Sequence, residues 1–179
     1  MPDVTPEDFG RGLHSVALGQ EWSVTRATID DRKVIVATNR FREPAGAYGL
    51  VWTKCVIVCI GVSSPTRGEL DHFAGEAGRF GLRRTRWQIP FRGIQGCTLT
   101  LALAAVPSLE PEVAEWATAL PAIRFAAMTA PVAVDLRDGS IHLSRDEPRL
   151  GKVLHHRRLL IADTVIAAAS DAVSKASEH

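Results

Sequence analysis

The chain has 179 residues, is 46% hydrophobic and 23% charged, and carries a net charge of +1. These values exclude a disordered polyelectrolyte and a globally basic nucleic-acid coat, and a chain of this length buries roughly 70% of its unfolded surface without help from disulfides or metals. Three cysteines, Cys55, Cys59 and Cys97, are too few and odd in number for a disulfide framework.

The segment Met1 to Asp8 is acidic, with prolines at Pro2 and Pro6, and lacks the basic start and apolar run of an export signal. No stretch reaches the ~20 apolar residues of a membrane span. The expectation is a cytoplasmic, soluble protein with one α+β domain over residues 1–179, no cofactor and no membrane association.

Thr5-Pro6-Glu7-Asp8 reads as a helix start, with Thr5 as cap and Pro6 at the first helical position. Phe9, Leu13 and Val16 mark a short helix to about Leu18. Trp22 to Ile29 and Lys33 to Phe41 are β-rich and flank Asp30-Asp31-Arg32, which predicts a hairpin. Glu43 to Gly49 is loop by its glycines and proline. Leu50 to Val62 is apolar on both faces and dense in β-branched residues, which predicts a central strand. Lys54 breaks that pattern and is expected towards one end of the strand.

Thr66 and Glu69 match a capping box, and Leu70, Phe73, Ala77 and Phe80 follow at helical spacing, with Gly81 as the stop. Gly75, Gly78 and Gly81 repeat every three residues, which suits close packing of this helix on a neighbour and not a phosphate-binding turn. Cys97, Leu99, Leu101 and Leu103 alternate with Thr98, Thr100 and Ala102, a strand with one strongly apolar face. Glu110-Pro111-Glu112 opens a short helix with the stripe Leu109, Val113, Trp116 and Leu120, closed by Pro121. Pro131 to Leu136 and Ser140 to Leu143 flank Arg137-Asp138-Gly139, where Asp-Gly is expected to supply positive φ angles to a tight hairpin. Leu150 to about Lys175 predicts a long alanine-rich helix, available to protrude or to enter an oligomer interface. Together these elements predict an α+β fold: a mostly antiparallel sheet of about five to six strands packed with helices, ending in that long helix. The order of a leading helix, three strands and a helix resembles that of small α+β secretion chaperones, in element order alone, and no function follows from it.

Four residue groups bear on function. Arg79, Arg83, Arg84, Arg86 and Arg92 form an arginine stretch with no acid among residues 79–92, interleaved with Trp87 and Phe91. Guanidinium groups bind phosphates and aromatic rings stack on bases, so Arg79, Arg83, Arg84, Arg86, Trp87 and Arg92 are the candidate polyanion-binding residues. Against this, cations near a helix C-terminus are favoured in any protein. Lys152, His155, His156, Arg157 and Arg158 read as a solvated basic face, since successive residues diverge by about 100° and the two histidines cannot share a metal. Cys55 and Cys59 share a strand face about 13 Å apart, too far for a disulfide, and read as buried apolar residues. Asp135 and His142 lie on adjoining strands and could approach, while Asp138 is a turn residue.

No converging catalytic or metal-binding set is present. The favoured expectation is therefore a non-catalytic protein-interaction or regulatory module that associates with a protein partner or with itself. The alternatives are a nucleic-acid or other polyanion binder through Arg79–Arg92, and a small enzyme whose site is assembled from distant positions.

Overall fold

A computed structural model describes residues 5–44, 50–85, 96–148 and 152–171. Helix α1 (Pro6–Gly19) begins with the expected Thr5 cap, and Asp8 completes a capping box by accepting the Thr5 N–H at 3.0 Å. These bonds, with Arg11 beside it, hold the Asp8 carboxyl down to about 2. Strands β1 (Ser23–Ile29) and β2 (Arg32–Pro44) pair antiparallel around Asp30 and Asp31, whose φ angles of 50° and 59° give the doubly left-handed turn that matches strand twist.

β3 (Leu50–Gly61) pairs antiparallel with β2. The chain then crosses through α2 (Arg67–Thr85) to β4 (Gly96–Val106), which lies parallel to β3. A second crossover, through α3 (Pro111–Thr118) and the short edge strand β5 (Ala122–Arg124), reaches β6 (Ala127–Asp135), parallel to β4. β7 (Ile141–His142) pairs antiparallel with β6. α4 (Lys152–Ile161) continues through a π-helical turn (Ala162–Ile166) to residue 171.

The fold is thus α+β, but the sheet departs from the mostly antiparallel arrangement of five to six strands. Among the described residues it has seven strands in the order β1-β2-β3-β4-β6-β5, with β7 also on β6, and it is mixed. The cause is local. After β3, strand and helix alternate twice, and a strand–helix–strand crossover returns the next strand parallel. β4, flanked by parallel partners, has ten of its eleven residues buried, as a strand covered on both faces must.

Helices cover both faces. Phe9, Leu13 and Ala17 of α1 and Leu154, Ile161 and Val165 of α4 pack on Cys55, Ile57, Leu99, Leu101 and Val132. Leu70, Phe73 and Ala77 of α2 and Val113 and Trp116 of α3 pack on Val36, Val56, Val58 and Ala104 of the other face. The Thr66–Glu69 capping box forms as expected. Gly81 does not stop α2, which runs on to Thr85. A methyl group at Gly81 would run into the Thr100 hydroxyl, and one at Gly78 into the Thr129 hydroxyl, so these two glycines let α2 settle on β4 and β6. Gly75 faces open space instead.

Two smaller expectations also change. The hairpin before β7 turns through residues 136–138, and only Gly139 takes a positive φ (74°); Asp138 accepts the Ser140 N–H at 2.8 Å instead. Leu120, assigned to the buried stripe of α3, is 65% exposed because that helix ends at Thr118.

Candidate functional site

Strand pairing assembles the most distinctive surface. In the antiparallel β2–β3 register Arg40 lies opposite Lys54 and Arg42 opposite Trp52. Side chains two apart share a sheet face, and Val36 and Val56 fix that face as the one covered by α2. At this end of the sheet Arg40, Arg42 and Trp52 are exposed and Lys54 is half-buried against the end of α2. The guanidinium carbons of Arg40 and Arg42 lie 5.7 and 5.3 Å from the centre of the Trp52 ring, itself 41% exposed. The Lys54 Nζ donates to the Arg84 carbonyl at 3.4 Å, and the Arg84 guanidinium sits 5.1 Å from the Phe80 ring. Arg42, Trp52, Arg40, Lys54, Arg84 and Phe80 therefore follow one another along one end of the sheet.

The charges in this row act on each other. Partial burial pushes the Lys54 ammonium below its usual range, and Arg40 and Arg84 push it the same way. An anion laid across the row would relieve that repulsion. The stacked arginines are already held in place by Trp52, so less side-chain freedom is lost when they meet a phosphate.

The arginine stretch divides. Arg84 joins the row, whereas Arg79, five residues earlier and about 140° round the helix, turns to Glu76 and lines a different groove. Arg83 is exposed. Arg86, Trp87 and Arg92 lie outside the described residues. Arg40, Arg42 and Trp52 do not stand out in the sequence, and Lys54 stands out only as the break in the apolar pattern of β3, near one end of that strand as expected. The signal was present in period-two alternation: Arg40 and Arg42 on one hairpin strand, Trp52 and Lys54 on the next.

The basic face of α4 is not solvated throughout. His156 is exposed and the Arg157 guanidinium covers Phe41 at 4.1 Å, but His155 is buried and Arg158 has 0% exposure. Arg158 falls in phase with Leu154, Ile161 and Val165 on the core-facing stripe.

Cys55 and Cys59 are buried on the α1/α4 face, and burial pushes the Cys59 thiol up to about 12, which leaves it unreactive at neutral pH. Cys97 shares that layer and lies 3.2 Å from the Thr53 hydroxyl. Asp135 and His142 have separate partners: Asp135 accepts from the Leu109 and Arg137 N–H groups, and His142 bonds Ser140 Oγ. Among the described residues, no group of three His, Cys, Asp or Glu side chains is arranged to hold a metal ion, and no helix is long and apolar enough to cross a membrane.

A groove of about 240 Å³ lies between α2, the end of α3 and the β5–β6 hairpin. Its lining includes Gly75, Gly78, Leu82, Trp116 and Leu120, with Arg79, Arg124 and Asp71 as its charges, and no cysteine or histidine among the described residues. No family model matches the chain, and a search of curated proteins found no match either.

Proposed function

We propose that the chain binds a polyanion, with single-stranded nucleic acid as the favoured class, along the row Arg42–Trp52–Arg40–Lys54–Arg84–Phe80. The observation that carries this reading is the succession of four cations and two aromatic rings at one end of the sheet. Cations alone would suit any polyanion. The exposed Trp52 adds a flat face on which an unpaired base can stack, a contact worth ~1–3 kcal/mol per base. An overall charge of +1 leaves little long-range attraction, so the local row must supply it.

Titration of a dye-labelled single-stranded oligonucleotide, followed by fluorescence anisotropy, tests this reading. Trp52→Ala is expected to weaken binding by about tenfold or more, and Arg42→Ala and Lys54→Ala by a few-fold each. Unchanged affinity in all three variants removes the row as the site. Loss on charge removal but not in Trp52→Ala, with inorganic polyphosphate bound equally well, leaves a polyanion binder without base stacking.

A second reading, self-association, has its own observation. Leu120, Ile123 and Phe125 are 65%, 38% and 79% exposed and follow one another round the short edge strand β5, beside the groove floored by Gly75 and Gly78. A run of exposed large apolar residues at a sheet edge marks an interaction surface. The C-terminal helix is a weaker candidate, because Val165, Ile166, Ala169 and Ser170 are buried against the chain's own core. Light scattering on a size-exclusion column at low and high salt is expected to show a salt-independent dimer that Phe125→Asp converts to monomer. A monomer in the unsubstituted chain would remove this reading.

A further inference from the structure

Among the described residues, Arg158 is a fully buried cation with unpartnered donors. It enters the core from α4 between Leu154 and Ile161, with 0% of its surface exposed. One terminal nitrogen, Nη2, is engaged: it donates to the Ser144 carbonyl at 2.6 Å and to His155 Nδ1 at 2.8 Å. Nε and Nη1 are buried with no hydrogen-bond partner, and so is the hydroxyl of Ser144, the residue whose carbonyl Arg158 already holds. A lysine or histidine in this position could discharge; a guanidinium cannot. Among the described residues no carboxylate forms an ion pair with it. Asp146 acts on it only through space and is itself exposed.

We propose that Arg158 and Ser144 form a closed binding site for a small oxyanion of the carboxylate or phosphate type. Three unfilled groups lie on two residues already joined to each other. The two guanidinium nitrogens are donors only, and the Ser144 hydroxyl rotates freely enough to donate as well. A partner for such a set must accept several hydrogen bonds and carry negative charge. His155 supports the arrangement: its Nδ1 accepts from Arg158, so the ring is neutral there with its proton on Nε2. Residues 143–148 form the cover. Besides the Arg158–Ser144 bond, they are tied to the helix by Arg145–Asp163 at 3.4 Å and Glu147–Lys152 at 3.1 Å. Both outer ties join exposed side chains and are weak, so an ion enters by a local opening that must also break the Ser144 N–H bond to the Ala117 carbonyl at 3.2 Å. The site lies in the α1/α4 layer, on the opposite face of the sheet from the cationic row, and does not depend on it.

The test uses the full chain with Arg40→Ala and Arg42→Ala, which halves the charge of the row, and the Arg158 and Ser144 variants made in that background separate the buried site from the Lys54 and Arg84 that remain. Thermal unfolding is followed against sodium phosphate and, separately, sodium acetate, with sodium chloride at matched ionic strength as the control. A saturable rise in Tm over chloride, abolished or weakened about tenfold or more by Arg158→Met and reduced by Ser144→Ala, supports the site. Phosphate alone acting assigns a phosphate-type ligand, and acetate alone a carboxylate. No rise over chloride, or an equal rise in Arg158→Met, overturns the proposal. If Arg158→Met fails to fold, the Arg158 Nε–H resonance in the parent chain decides: a saturable shift with the anion supports the site, and an unmoved resonance refutes it.

Discussion

Two sets of cations in this chain occupy opposite circumstances. Arg40, Arg42, Lys54 and Arg84 lie at one end of the sheet, the three arginines exposed, two of them stacked on Trp52 and one on Phe80. Arg158 lies inside the α1/α4 core and spends one nitrogen on a carbonyl and a histidine. The three arginines of the first set keep their hydration, and Lys54 loses only part of its own. The second has lost its water and must be compensated where it stands. The difference teaches that a basic residue is read by what surrounds it and not by its neighbours in sequence: Arg157 and Arg158 are adjacent, yet one covers Phe41 near the surface and the other is buried.

Stability is the sharpest way to break this comparison. Arg158→Ala removes a fully buried side chain and strands the Ser144 carbonyl and His155, so a loss of about 2–4 kcal/mol is expected. Arg84→Ala should stay within about 0.5 kcal/mol. Urea unfolding of both variants checks the pair, and similar losses would show that burial does not separate them.

The next effect concerns how α2 delivers Arg84 to the row. Gly81→Ala drives a methyl group into Thr100, and overpacking of about 1–3 kcal/mol outweighs the gain in helix propensity. Gly75→Ala meets open space beyond Arg79 and should stabilise by about 0.5–1 kcal/mol. If both changes prove stabilising, α2 does not sit as closely on β4 as described.

Acid sharpens the contrast further. Burial, and then Arg158, hold the His155 ring below its ordinary value of 6.5. Glu147 and Asp146 oppose this shift, and His156 adds to it. The unfolded chain therefore takes up a proton before the folded one, and stability contributed by neutral His155 is lost as pH falls below 6.5 towards the folded value. An NMR titration of the His155 ring should give a midpoint below that of a model histidine. A midpoint at or above 6.5 would contradict the buried neutral pair. The cationic row contains no histidine, so its affinity should stay flat over the same range.

The smallest effect is within the row. Arg40→Ala removes one of the two like charges named for Lys54 and should raise its midpoint towards 10.5. Burial, the larger cause, remains, so recovery should be partial. A midpoint that does not move would separate the two side chains.

Much of the fold was legible because local chemistry reports itself. The Thr5 and Thr66 caps, the Asp30–Asp31 turn and the alternating β4 all follow from short-range pattern. Parallel pairing was not, because it depends on where the helices of two crossovers dock. The three-residue β5 carries too short a pattern to register. The site was half legible. Arg84 belongs to a visible arginine stretch, but Arg42 and Trp52 are ten residues apart and meet only through strand register. Arg158 reads as a surface cation by its charge, although its spacing from Leu154, Ile161 and Val165 sets it on the apolar stripe.

Polyanion binding by the sheet-end row is decided by the salt dependence of oligonucleotide affinity. If four cations each displace counterions from a single strand, log K should fall with log salt at a slope of about −2 to −3. Combining Arg40→Ala with Arg42→Ala should flatten that slope by about 1.4. A slope near zero, or one that the double substitution leaves unchanged, would contradict the account.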